Sequence, residues 1–333
     1  MKKKTRISSK GLGTSLIGSI LLSFLALIPT TVWAQEVSDS IVTAEDLLAD
    51  MSRALRARNY SGVFTYEHGG TLDAFRVTHS VDDRQQEYGQ LDYLNGPERS
   101  VVRRGLGDEC LTLAARLVGA EDQAFGLSRH YQFYLKGVQR VAGRKAQVVN
   151  LVPRDEYRHG YTLFIDDETS LPLLVMTVNN RRRVLERMQF SDLTIEDQNQ
   201  PNQVSAIKTL TVAPDSGQSV VSKCDEPESR PLHWQLNWLP DGFVMTSHKN
   251  HETKGESLTF SDGLATFTVF VQPQSPQLTY QGTAQRGASL VMMLRVVLAE
   301  APYLVTVVGE IPAVTAERVT ANVGPRQIKL GSP

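Results

Sequence analysis

The sequence predicts a mostly β, α+β chain in two parts, a large antiparallel one followed by a smaller one. Three observations carry that expectation. Apolar residues alternate with a period of two through much of the stretch from Tyr60 to Leu193, as half-buried strands require. Turn residues interrupt the alternation at Gly69-Gly70, Asp82-Asp83, Asn95-Gly96-Pro97 and Gly105 to Asp108, at the intervals of roughly a dozen residues that successive hairpins leave behind. A stretch rich in Ser, Asp, Glu and Pro, from Ala213 to Pro231, then precedes a second set of apolar runs, as an interdomain linker does. The division that follows is 1–34, 35–212, 213–231 and 232–333.

The first 34 residues read as a secretory signal peptide. Lys2, Lys3, Lys4, Arg6 and Lys10 give a positive start, Leu16 to Pro29 is an apolar run, and Val32-Trp33-Ala34 is a small-residue cleavage pattern. The run is short for a membrane span, and an uncleaved anchor is the alternative. Cleavage after Ala34 is expected to give an exported mature chain. The chain carries 35 Lys and Arg against 36 Asp and Glu; without its first 34 residues, which hold five basic and no acidic side chains, the balance is 30 against 36, or −6. That balance argues against broad nucleic-acid binding, and no other stretch approaches a membrane helix, so no stable insertion is expected.

Thr43 to Arg58 predicts a helix: Ala44, Leu47, Leu48, Met51 and Leu55 form one apolar stripe, Thr43 is a fair N-cap and Asp46 lies near the positive helix end. Strand-like runs follow at Leu72–Val81, Gln86–Leu94, Arg99–Arg104 and Glu109–Leu113. The alternation lapses from Ala114 to Tyr134, where a short helix or irregular loop fits. Leu135–Val141 and Lys145–Leu151 make a hairpin around Gly143. Tyr161–Ile165, Leu173–Val178 and Val184–Phe190 complete the meander, the last pair turning at Asn179-Asn180, residues that tolerate positive φ. The first two of these runs are apolar on both faces, so both sides of that part of the sheet need cover. In the second part, strands are expected at Phe243–Ser247, Ala265–Val271, Ser289–Leu298 and Tyr303–Val308, and a last helix from Val314 to Val323, stopped by Gly324.

No constellation of catalytic residues stands out. The chain has no phosphate-cradling glycine loop, dinucleotide fingerprint, G-x-S-x-G or C-x-x-C, and no cofactor is implied. His248 and His251 are spaced for a metal only on a helix, whereas their context reads as a polar loop. Asp166-Asp167-Glu168 reads as a solvated hairpin turn. Arg181, Arg182 and Arg183 at a hairpin tip suit an anionic partner through paired hydrogen bonds, or serve as a soluble turn that prevents edge pairing. Tyr131, Phe133 and Tyr134 suit the lining of a lipid-sized cavity, or are ordinary core. Cys110 and Cys224 are the two cysteines; in an exported chain such a pair suggests a disulfide, two free thiols being the alternative. A loop of that length would gain on the order of 4–5 kcal/mol from the bond.

Taken together, the segments resemble the RseB/MucB family of periplasmic regulators of the sigma-E envelope-stress system. The resemblance runs through Asn59-Tyr60, Leu94-Asn95-Gly96-Pro97-Glu98-Arg99, Val101-Val102-Arg103-Arg104-Gly105, Leu151-Val152-Pro153-Arg154-Asp155 and Leu171-Pro172-Leu173. It continues in Trp238-Leu239-Pro240-Asp241-Gly242-Phe243, Ser261-Asp262-Gly263-Leu264 and Val305-Thr306-Val307-Val308-Gly309-Glu310-Ile311-Pro312. Each piece is weak alone, and their shared order makes the match specific. It implies a large domain like the lipoprotein carriers LolA and LolB, a half-open antiparallel β-barrel wrapped around helices, and a small C-terminal antiparallel sheet with helix packing. It also implies a partner: the periplasmic domain of an anti-sigma factor, shielded from regulated proteolysis until lipid, lipoprotein or lipopolysaccharide signals release it. A LolA-type lipid or lipoprotein carrier is the alternative function, and an enzyme a distant third. The cysteine pair and segment 114–134 depart from the Escherichia-type pattern.

Overall fold

The computed structural model describes residues 42–82, 84–104, 127–196, 219–221, 232–251, 255–274, 281–298 and 300–326. The leader, both cysteines, the turn at 105–108 and segment 114–126 lie outside the described residues.

Helix α1 spans Ala44–Ala57. Its start is a capping box: the Asp46 N–H donates to Thr43 Oγ1 at 3.1 Å, and the Thr43 N–H donates to Asp46 Oδ2 at 3.0 Å. The Arg58 N–H closes the other end on the Ala54 carbonyl at 3.1 Å. The expected stripe is the packed face, with Met51, Ala54 and Leu55 buried. Thr43→Ala is expected to cost about 1 kcal/mol, read as a shifted urea midpoint at unchanged slope. An unmoved midpoint would show that the packed face alone holds the helix.

Among the described residues, ten strands form the first sheet: β1 Asn59–His68, β2 Thr71–Val81, β3 Glu87–Tyr93, β4 Arg99–Arg104, β5 Tyr131–Val141, β6 Arg144–Pro153, β7 Gly160–Asp166, β8 Pro172–Val178, β9 Val184–Glu196 and β10 Ser219–Val221. Their order is β10-β4-β3-β2-β1-β9-β8-β7-β6-β5. Two meanders, β1–β4 and β5–β9, are thus joined where β9 runs antiparallel to β1. Among the described residues only β10 pairs in parallel, on β4; it comes from within the stretch read as a linker. Among the described residues the sheet does not close, and β10 and β5 are its edges. Helix α1 packs on β5, and its buried residues share one apolar cluster with β1 and β5–β9. The result is a half-open antiparallel barrel around α1. Strands β7 and β8 are buried on both faces, as their two-sided apolar pattern requires: Leu163 and Val175 on one, Phe164 and Leu174 on the other.

Two turns differ from expectation. At the β8–β9 hairpin the positive φ falls on Arg182, at 59°, rather than on the Asn pair. Asn179 instead accepts the Arg181 and Arg183 N–H groups on Oδ1, each at 3.0 Å, the Asx-type bonding that this residue offers in place of left-handed backbone. At the β7–β8 turn, Asp166 is buried while Asp167 and Glu168 are exposed. Asp166 accepts from Arg144 Nε at 2.9 Å and Nη2 at 2.8 Å, and from the Thr169 N–H at 3.1 Å.

The second sheet contains β12 Val244–His251, β13 Gly255–Ser261, β14 Thr266–Pro273, β15 Gly282–Arg286, β16 Ser289–Leu298 and β17 Ala301–Gly309, in the order β12-β13-β14-β17-β16-β15. Helix α2, Ala313–Ala321, packs on β16 and β17. It ends at Ala321, two residues short of the expected Val323, because Val323 begins β18 (Val323–Pro325), which pairs with β11 (Trp234–Leu236). His248 and His251 lie in β12 rather than in a loop. A second apolar cluster holds this part together, built from residues such as Trp234, Phe260, Phe267, Val305 and Val319. No helix among the described residues is long and apolar enough to cross a membrane.

Candidate functional site

Two features stand out from ordinary packing. The first is a row of aromatic rings across the β1–β4 side of the half-open sheet. Strand register sets Phe190 opposite Phe64, Phe64 opposite Phe75, Phe75 opposite Tyr93, and Tyr93 opposite Arg99. Successive ring centroids are 5.6, 5.2 and 4.9 Å apart, and the Arg99 guanidinium closes the row 4.7 Å from the Tyr93 ring. These spacings fall within the favourable range for aromatic and cation–π pairs. Gly62 makes room: a Cβ there would fall 2.9 Å from the Phe190 ring and 2.5 Å from the Asp192 carbonyl. The neighbouring row of the same face continues the apolar surface with Leu193, Val77, Leu91 and Val101. Phe64, Tyr93, Val77, Leu91 and Val101 are only half-buried, unlike the sealed core around β7 and β8.

The second feature is the seam between the two sheets, which belong to one compact unit. The β6–β7 loop, 154–159, carries it. Arg158 is fully buried. Its Nη1 donates to Asp262 Oδ2 at 2.6 Å and its Nη2 to the Asp241 carbonyl at 2.6 Å, while Nε donates to both Asp155 oxygens at 3.1 Å. The Tyr131 and Phe243 rings flank the guanidinium, at 5.6 and 5.2 Å. Asp262 Oδ2 also accepts from the Tyr131 hydroxyl at 3.1 Å, and its Oδ1 accepts the Leu264 and Ala265 N–H groups at 3.0 and 2.7 Å. A buried ion pair persists only when its remaining hydrogen-bonding capacity is met, as here. Burial works against the Arg158 charge, but Asp155 and Asp262 outweigh it and hold its pKa above the ordinary arginine value. Burial first, then the Asp262 charge, pushes the Tyr131 phenol well above its usual range.

Around this centre the seam continues as polar and stacked contacts. The Thr315 hydroxyl donates to the Tyr157 carbonyl at 2.8 Å. Arg318 lies over Trp238 at 4.2 Å, hydrogen-bonds the Tyr157 hydroxyl, and Tyr157 meets Trp238 edge-on. Glu186 of β9 accepts the Ala288 N–H at 2.8 Å, and Arg286 Nη2 donates to Thr71 at 3.0 Å. His159 is buried beside Ala288 and Ile311; desolvation lowers its pKa to about 4, against a weaker opposing pull from the backbone of those two residues.

The structure does not gather Tyr131, Phe133 and Tyr134 into one lining. Tyr131 belongs to the seam, Phe133 is half-buried against the large core, and Tyr134 is 42% exposed with its hydroxyl donating to Gln132 at 2.7 Å. Arg181, Arg182 and Arg183 are exposed at the β8–β9 tip. Cys110 and Cys224 lie outside the described residues. Arg158 and Asp262 escaped sequence reasoning because their meeting spans 104 positions; the one local signal was the Asp262-Gly263 turn.

Two family models cover most of the chain: the MucB/RseB N-terminal domain over residues 43–208 and the MucB/RseB C-terminal domain over 228–324. The chain is 30% identical over 325 residues to the sigma factor AlgU regulatory protein MucB of Pseudomonas aeruginosa, spanning 94% of this chain and 97% of that one. It is 27% identical over 320 residues to the sigma-E factor regulatory protein RseB of Haemophilus influenzae, spanning 91% and 98%. Among solved structures, MucB in complex with MucA(peri) matches at 30% identity over 86% of this chain and all of that one, with a TM-score of 0.68; MucB alone matches at 30% identity over 85% and 98%, with a TM-score of 0.60.

Proposed function

The chain belongs to the MucB/RseB family, and from that membership we propose that it is a periplasmic regulator that binds the periplasmic domain of a membrane anti-sigma factor. Bound there, it shields the anti-sigma factor from regulated proteolysis and keeps a sigma-E-type factor inactive. It acts by binding rather than by catalysis. The observation that supports this best is the fit over the whole length of MucB as it stands in its complex. Export follows from the leader, cleaved after Ala34, and the oxidising compartment favours a Cys110–Cys224 bond; two reactive thiols in the denatured native protein would end that part. The two family spans and two separate apolar clusters favour domains at 35–212 and 232–333 joined through 213–231. Arg181, Arg182 and Arg183 are the exposed groups suited to an acidic partner segment.

Release on envelope stress requires a sensor, and the half-buried aromatic row is the surface suited to an acyl chain of a lipid, lipoprotein or lipopolysaccharide. Phe133 extends the same kind of surface near α1. The row also favours the second reading, a LolA-type carrier. One experiment separates the two. The cognate anti-sigma periplasmic domain is exposed to its site protease with and without the mature chain, then with lipopolysaccharide fragments added. Protection that the fragments abolish is the expected result. Absence of protection at saturating protein, with acyl ligands still bound, would favour the carrier.

A further inference from the structure

The seam is polar where each flanking core is apolar. The first cluster draws its buried members from α1, the first sheet, the β7–β8 turn and the short helical turn at 127–130, with Leu264 its one contribution from the second part; the second cluster draws none from the first. Among the described residues, the other contacts identified across the seam are hydrogen bonds, one buried ion pair, close approaches of charged and ring side chains, and a ring edge. Water can replace hydrogen bonds at small net cost, but it cannot replace a core. Such a boundary parts more readily than either sheet unfolds. Arg158 dominates it, because one guanidinium ties Asp155 of the first part to both Asp262 and the Asp241 carbonyl of the second.

We propose that Arg158 is a latch and the positioning residue of the regulator: it holds the two parts in the arrangement that presents the partner-binding surface, and partner release follows when the latch opens. The proposal rests on the anti-sigma reading above and names how that binding is regulated. The sensing surface lies on the same strands as the seam. Strand β9 carries Phe190 into the aromatic row and Glu186 onto Ala288, and β2 carries Phe75 into the row and Thr71 onto Arg286.

The test uses the full mature chain and the purified periplasmic domain of the cognate anti-sigma factor. Arg158→Met removes the latch at nearly constant length. Asp262→Asn removes only the charge facing Arg158 and keeps the acceptor for Leu264 and Ala265, which guards against a misfolded first variant. Arg158→Lys keeps the charge without the forked geometry. Hydrogen exchange is expected to rise in both latch variants at 154–160, 241–243 and 261–265, with α1 and β14 still protected. Affinity is expected to fall about tenfold or more in the same variants, within the usual range of a coupling between sites, and by less in Arg158→Lys. Seam amides that stay protected in both variants would overturn the latch. So would an opened seam with affinity within about twofold of the wild type. A wild-type chain that fails to bind would instead overturn the anti-sigma reading and the partner half of the latch with it.

Discussion

Asp166→Ala is expected to destabilise the large part by about 2–4 kcal/mol. The carboxylate is almost wholly buried and takes two parallel bonds from Arg144, which is itself a quarter exposed. Truncation frees Arg144 to reach water, so the full cost of stranding a buried cation, about 3–5 kcal/mol, is not met. The Thr169 N–H and hydroxyl fare worse, since both turn inward to Asp166 and Thr169 is buried. Buried donors left without an acceptor cost about 1–3 kcal/mol each. Asp166→Asn keeps an acceptor and is expected to lose about half as much. Urea unfolding of the mature chain, followed by far-ultraviolet circular dichroism, measures both. A loss under about 1 kcal/mol for Asp166→Ala would show that the β7–β8 turn is held by its flanking strands alone.

The second large effect is acid sensitivity through His159. Its imidazole titrates near 4 in the folded chain against 6.5 in the free side chain, because burial disfavours the charged form. Above about pH 6.5 the ring is neutral in both states, so the shift has no effect there. Between that value and about 4 the unfolded chain takes up a proton that the folded chain refuses, and stability falls as pH falls. The full effect, reached below pH 4, is about 3 kcal/mol. Because other groups titrate in the same window, the measurement is a double difference. Unfolding free energies at pH 7.5 and pH 5 are compared for the wild type and His159→Gln, and the wild type is expected to lose more. Equal losses would mean that the buried imidazole is not the sensitive group.

The fold was legible wherever it depends on local pattern. The period of two located β2 and β3 to within a residue or so and the start of β9, which runs on from Phe190 to Glu196; two-sided apolar runs between turns located β7 and β8, and the Thr43 cap and apolar stripe located α1. Strands β13 and β15 were missed. In β15 all five residues are exposed, so no alternation marks it, and in β13 the buried Glu256 and Ser257 interrupt the apolar rhythm. Glu256 can be buried because the His233 and Trp234 N–H groups donate to it from 23 and 22 positions away. Val323 left the expected helix for the same kind of reason, a pairing with Leu236 that no window around residue 320 contains. The seam was illegible throughout. Arg158 looks like any loop arginine until two distant turns, Asp241-Gly242 and Asp262-Gly263, close over it. The aromatic row was legible only as the alternation that begins at Tyr60; its path from Phe190 through Phe64 and Phe75 to Tyr93 belongs to register between strands.

Strand β10 sets a limit on how far the two parts can separate. Val221 is hydrogen-bonded into the edge of the first sheet, and Trp234, thirteen positions later, is anchored in the second part. Fully extended, that stretch reaches roughly 45 Å. A detached C-terminal part therefore wanders in a small volume, at an effective local concentration in the millimolar range. Recapture is then an intramolecular event, independent of how much protein the compartment holds. A partner or ligand that keeps the parts separated has to compete with that standing local concentration rather than with bulk encounter.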